Sequence, residues 1–119
     1  MQIRESAEMY LETILVLSKK GAVRSIDIAK EMNFSRPSVS VTVHNLENEN
    51  YIKIDQNGNI TLQPKGLEIA ERIYERHTVL SEILKKIGVS EETAVNDACK
   101  MEHIISNETF ECIKKFISK

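Results

Sequence analysis

The stretch "SIDIAKEMNFSRPSVSVTVHNLENEN", residues 25–50, decides the fold. Ile28, Ala29 and Met32 make a short apolar face at helical spacing, and Ser25 ahead of them suits an N-cap. Asn33 then tolerates the left-handed backbone of a tight turn. Beyond Phe34, a second helix is predicted from Arg36–Pro37, because proline fits the first helical turn. Val39, Val43 and Leu46, at i, i+4 and i+7, supply its inward row. The small Ala29 lets the second helix approach closely, and the turn residue follows four positions later. Two short helices joined this way form a helix-turn-helix.

The next stretch, "YIKIDQNGNITLQ" at 51–63, changes period. Ile52 and Ile54 alternate with Lys53 and Asp55, and Ile60 and Leu62 alternate with Asn59 and Thr61. The Asn57-Gly58 pair between them signals a hairpin. A hairpin directly after a helix-turn-helix is the wing of a winged helix. Upstream, a helix over about 3–19 carries Ile3, Ala7, Tyr10, Leu11, Ile14 and Leu17 on one stripe. Met9 lies about 140° from the centre of that stripe at ~100° per residue, beside Glu5, Glu12 and Val16. A methionine off the core face needs a second packing partner or a role.

Downstream, Pro64 opens a long helix to about Ile87, ended by Gly88. Ile69, Ile73, Leu80 and Leu84 define its buried face, and His77 lies in the same stripe. Ser90 caps another helix, with Glu91 and Glu92 in its first turn. Ala94, Ala98, Met101 and Ile105 form the core face there. Cys99, Glu102 and His103 form a separate face, about 130° away at ~100° per residue. Ser106 caps a last helix through about Ser118, with Ile113, Phe116 and Ile117 apolar and Cys112 a packed thiol on its flank. The expected fold is mainly α with a small β-hairpin. A winged helix-turn-helix spans residues 1–63, and a helical unit spans 64–119, with the helix from 64 shared by both.

Composition narrows the function. The 119 residues are 41% hydrophobic and 29% charged, which is a foldable balance, and with no Trp the core is expected to be aliphatic. No apolar run approaches the ~18 residues of a membrane span, so no membrane partner is expected. No charged segment followed by an apolar one suggests secretion. Two cysteines are too few for a disulfide scaffold, which favours a reduced, cytoplasmic setting. Sixteen Lys/Arg against eighteen Asp/Glu give a net charge of −2. Bulk charge therefore cannot coat DNA, and sequence-specific contact needs a local patch. A Gly-rich phosphate loop, a nucleophile elbow and a paired-acid cleft are all missing from the sequence, so an enzyme is not expected.

Two groups of residues carry chemistry. Ser35, Arg36, Pro37, Ser38, Ser40, Val41, Thr42 and His44 are not needed for the core of the second helix. Short hydroxyl side chains near a helix N-terminus suit phosphate contact. Arg36 reaches phosphate or a guanine edge, and Val41 offers apolar contact to a thymine methyl. The competing reading is a solvated face or a protein-contact helix. The second group is Cys99, Glu102 and His103 at i, i+3, i+4, a thiol, a carboxylate and an imidazole that suit later first-row divalent ions. Met9 offers a soft fourth donor from another helix. Against this stand a buried free cysteine beside a surface ion pair, and a core histidine at His77 satisfied by a hydrogen bond. A winged-helix regulator sensing a small molecule or a protein, a metal buffer and an interaction module all remain open at this level.

The segments "AEMYLETI" at 7–14, "SRPSVSVTV" at 35–43, "LQPKG" at 62–66, "RHTVLSEIL" at 76–84 and "NDACKMEHIIS" at 96–106 resemble, in order and along the whole chain, the DtxR/MntR family of metal-dependent transcriptional repressors. The resemblance implies a homodimer built on the C-terminal helices, binding a palindromic double-stranded operator when metal is bound and so controlling metal homeostasis. It implies a principal metal site of Met9, Cys99, Glu102 and His103, with Met9 and Cys99 as in the iron branch. Glu12 and His77 match ligands of the manganese branch and imply a second site. His77 also matches an ancillary ligand of the iron branch, whose other ancillary positions hold Val95 and Ser81 here, with Glu82 next door. The expected form is the two-domain one without the SH3-like domain. Fe(II) is the first expected cofactor and Mn(II) the second, with Co(II), Ni(II) or Zn(II) binding in vitro. A cation held jointly by the first helix and the C-terminal half would fix two recognition helices about 34–36 Å apart, the spacing of successive major grooves.

Overall fold

The computed structural model describes residues 5–118. Helix α1 runs Glu5–Ser18, α2 Ser25–Met32 and α3 Arg36–Asn48. Strands β1 (Ile52–Ile54) and β2 (Ile60–Leu62) follow, then α4 (Pro64–Lys86), α5 (Glu91–Met101) and α6 (Asn107–Ile117). Ile3 and the expected start of the first helix lie outside the described residues. The chain divides into two compact units, one up to Glu71 and one from Arg72, so the division falls inside α4.

In the N-terminal unit, apolar side chains from every element share one core. Tyr10, Leu11 and Ile14 of α1 join Ile28 and Ala29 of α2, Val39, Val43 and Leu46 of α3, and Ile52 and Ile60 of the hairpin. Asn33 takes the left-handed conformation (φ 57°) at the turn, and the Phe34 N–H closes it by donating to the Ala29 carbonyl. Ser35 caps α3 by accepting from the Ser38 N–H, and Pro37 lies in the first turn. The α2 cap differs from expectation. Ser25 is the first helical residue, and Arg24 stands at the cap with its N–H donating to Asp27 Oδ2 at 2.9 Å. Asp27 at the third helical position accepts from the cap N–H, the reciprocal half of a capping box, so the cap stands one residue upstream of Ser25.

The hairpin is antiparallel, with Ile52 opposite Leu62 and Ile54 opposite Ile60. Asp55 Oδ1 accepts from the N–H groups of Asn57 and Asn59, and Gly58 takes a left-handed φ of 82°. These two N–H donors hold the Asp55 carboxyl below its usual range, the Asn59 bond most. Arg24 donates to the Asn57 carbonyl and so ties the wing tip to the start of α2. Val23 adds a bridge to Ile60 that period-two patterning does not reveal, with the Ile60 N–H 2.7 Å from the Val23 carbonyl. At the start of α4, a Cβ on Gly66 would lie 2.1 Å from the Tyr51 carbonyl oxygen. Only glycine permits that approach.

In the C-terminal unit, Ile73 and Leu80 of α4, Ala94 and Ala98 of α5 and Phe110 of α6 are buried. Ser90 and Ser106 cap α5 and α6 as expected, and Gly88 (φ 106°) ends α4. The apolar anchor of α6 is Phe110, while Phe116 is 72% exposed. Cys112 is exposed, not packed.

Candidate metal centre and nucleic-acid interface

Helix α5 ends at Met101, and Glu102 is its C-cap, still right-handed (φ −61°, ψ −23°), with its N–H donating to the Ala98 carbonyl. The i, i+3 relation of Cys99 and Glu102 therefore survives the helix end. The two side chains have different fates. Cys99 is exposed, whereas Glu102 is 1% exposed. Placing Glu102 away from the core face is thus corrected: it continues the buried row Ala94, Ala98 at four-residue steps, on the edge nearest the core.

A buried carboxylate must be paired or bind a cation. Glu102 Oε2 accepts from His77 Nδ1–H at 2.9 Å, and Oε1 lies 3.4 Å from His103 Nε2, whose side chain is 1% exposed. Cys99 Sγ lies 3.7 Å from His77 Nδ1. Donor atoms of His77, Cys99 and Glu102 all fall within 4.8 Å of one another. Metal–donor bonds of about 2.0–2.3 Å at a tetrahedral centre separate neighbouring donors by roughly 3–4 Å. The 3.7 Å between Cys99 and His77 falls in that range and the 2.9 Å between His77 and Glu102 just below it, and thiolate, imidazole and carboxylate suit a borderline divalent ion.

The structure also regroups the expected residues. His77, assigned from sequence with Glu12, sits with Cys99 and Glu102, because α4 presents it toward α5 from the stripe that holds Ile73 and Leu80. The Cys99 sulfur, then the Glu102 carboxylate, raise the His77 imidazole from 6.5 to about 10 against the opposing effect of burial. A proton on His77 thus supplies positive charge between a sulfur and a carboxylate. Met9 and Glu12 lie on α1 of the N-terminal unit, Met9 38% exposed and Glu12 half-buried. Ser81 is buried, and Glu82 is an exposed residue paired with Lys86 at 3.9 Å.

On α3, Ser35, Arg36, Pro37, Ser38, Val41 and His44 are exposed, and Ser40 and Thr42 are half-buried. Val41 is 63% exposed. His44 Nδ1–H donates to the Ser40 carbonyl at 2.7 Å. Residues 2–59 match the family model described as iron dependent repressor, N-terminal DNA binding domain. Residues 63–119 match iron dependent repressor, metal binding and dimerisation domain. The chain is 35% identical over 102 residues to the HTH-type transcriptional regulator MntR of Lysinibacillus sphaericus, covering 85% of this chain and 73% of that one.

The chain belongs to the iron-dependent repressor family. An uncharacterized HTH-type transcriptional regulator of Methanocaldococcus jannaschii is 32% identical over 118 residues, 97% of this chain and 94% of that protein. The solved structure of the manganese regulator SloR aligns with a TM-score of 0.81 at 26% identity, covering 99% of this chain and 55% of that one. A manganese-dependent transcriptional repressor in complex with manganese aligns at 0.86 and 21% identity, which shows the fold alone, over 94% of this chain and 52% of that one. The chain thus spans about half the length of these two solved structures. As a family member it is a metal-dependent transcriptional repressor with a DNA-binding and a dimerisation domain. Among the described residues, no helix is long and apolar enough to cross a membrane.

Sequence reasoning missed Arg76, which is buried on α4 beside His77. A signal existed. Arg76 is three residues past Ile73 and four before Leu80, a polar residue at a core position of the stripe.

Proposed function

We propose that this repressor senses Fe(II) first and Mn(II) second, through Cys99, Glu102 and His103 as donors in the C-terminal unit. Co(II), Ni(II) and Zn(II) would bind in vitro. Met9 of α1 joins this set on the strength of the sequence resemblance. Glu12 and His77 would complete a second site on the strength of the same resemblance. Bound there, the metal supplies a compact positive charge that several donors share. The Glu102 carboxylate carries the reading: it is 1% exposed, with one oxygen hydrogen-bonded to the His77 imidazole and the other 3.4 Å from His103 Nε2. The thiolate of Cys99 favours Fe(II) over the harder Mn(II), while the manganese regulators among the relatives support Mn(II) as the rival.

The repressor acts as a homodimer in the cytoplasm on a palindromic operator. Exposed Ile87, Ile104 and Phe116, at 70%, 73% and 72%, give the C-terminal unit the apolar surface that a second copy would cover. Ser35, Arg36, Pro37, Ser38, Ser40, Val41, Thr42 and His44 face the DNA. The test is anaerobic titration of Fe(II) and of Mn(II) with fluorescence anisotropy of a duplex selected by the metal-loaded protein. Both ions should raise DNA affinity, Fe(II) at the lower free concentration. A lower requirement for Mn(II) would reverse the assignment, and no response to either ion would remove the site.

A further inference from the structure

Arg76 precedes His77 on α4 and is 8% exposed. Its guanidinium runs to the α5–α6 connection. Nη1 donates to the carbonyls of Glu102 at 3.2 Å and Ile105 at 2.9 Å, and Nη2 donates to Asn107 Oδ1 at 2.9 Å. The Phe110 ring covers it, with Cζ 5.4 Å from the centroid. One side chain thus meets the C-cap of α5, the connector and the first residue of α6. Carbonyls at a helix C-terminus lack intrahelical partners and favour a nearby cation. A planar guanidinium fork can hold three oxygens in fixed directions, which a lysine ammonium cannot.

Glu102 is consequently held at both ends by successive residues of α4. Its carboxylate meets His77, and its carbonyl meets Arg76. His103 falls between the two carbonyls that Arg76 holds. We propose that Arg76 is a positioning residue for the metal centre: it fixes the backbone over residues 102–105, so that the Glu102 carboxylate and His103 imidazole keep their places beside His77 and Cys99. This rests on the reading of those side chains as metal donors. Donor sets must be held to within about 0.5 Å by their supporting residues.

The test is anaerobic Co(II) titration of the full chain, followed by the thiolate-to-cobalt absorption band, with melting of each metal-free protein alongside. Arg76→Lys keeps the charge but not the fork, and Arg76→Met keeps neither. Co(II) affinity should fall about 10-fold in Arg76→Lys and toward 100-fold in Arg76→Met, with a shifted band, as when outer partners of metal ligands are removed. Cys99→Ser should lose the band. A lowered melting temperature with wild-type Co(II) affinity and band would give Arg76 a stabilising role alone and overturn the proposal. Should neither Arg76 variant fold, Asn107→Ala decides by the same criteria, with a smaller loss expected. An unaltered band in Cys99→Ser would refute the donor set itself and take this inference with it. A lost band there with unchanged Arg76 variants refutes only the role of Arg76.

Discussion

The two units bury different chemistry. Leu11, Ile14, Ile28, Val39, Val43 and Ile52 of the N-terminal unit are at most 1% exposed, and Glu8, at 8%, is the buried charged residue described there. The C-terminal unit buries Arg76, Ser81 and Glu102 along with Ile73, Leu80, Ala94, Ala98 and Phe110. Buried charges cost stability unless every polar atom is engaged, and well-packed apolar residues would do as well or better. The first unit, which matches a DNA-binding domain, is thus organised mainly to hold its helices in shape. The second retains polar groups where a stability-driven sequence would replace them, as functional sites do.

The contrast can be broken first at the apolar core. Ile28→Ala should lower the stability of the N-terminal unit by about 2–5 kcal/mol in urea unfolding while leaving metal affinity unchanged. A loss that also weakened metal binding would blur the division between the units. Next, Cys99→Ala or His103→Ala should abolish the metal-dependent gain in DNA affinity, about 5–150-fold in a typical allosteric protein, with the circular dichroism of the fold retained. A wild-type metal response in either variant would exclude that side chain as a donor.

Arg36→Ala should weaken DNA binding and reduce its salt dependence by about one ion if Arg36 meets a phosphate, with metal affinity untouched. Unchanged DNA affinity would take Arg36 out of the interface. The smallest effect concerns pH. The His77 imidazole rises from 6.5 to about 10 on folding, so its pairing contributes fully below pH 6.5 and is lost as pH climbs through about 10. The stability advantage of metal-free wild type over His77→Gln should therefore shrink between those values, and metal affinity should rise with pH as ligands lose protons. A constant advantage from pH 6 to pH 10 would mean that the imidazolium pairing is not formed.

Legibility in the sequence followed the same division. Asn33, Pro37 and the Asn57-Gly58 pair marked the turns of the winged helix, because each acts through its own backbone. Val23 against Ile60, and Gly66 against Tyr51, were not legible, since nothing local says what lies across a strand or beneath a helix. In the C-terminal unit, spacing assigned Cys99, Glu102 and His103 to one face, whereas the structure sets Cys99 and Glu102 beside His77 and Glu102 beside His103. Spacing missed the burial of Glu102, because period alone does not say how far a core extends around a helix. The grip of Arg76 on three oxygens spans 26 to 31 residues and leaves no periodic trace.

In the proposed mechanism a thiolate from Cys99 binds the ion to which DNA binding responds. X-ray absorption at the metal K-edge of the Fe(II)-loaded protein tests it most directly. A thiolate sulfur shell at about 2.3 Å beside nitrogen and oxygen donors, weakened in Cys99→Ser to at most the contribution of the Met9 thioether, is the predicted result. A shell of nitrogen and oxygen alone in wild-type protein would contradict it.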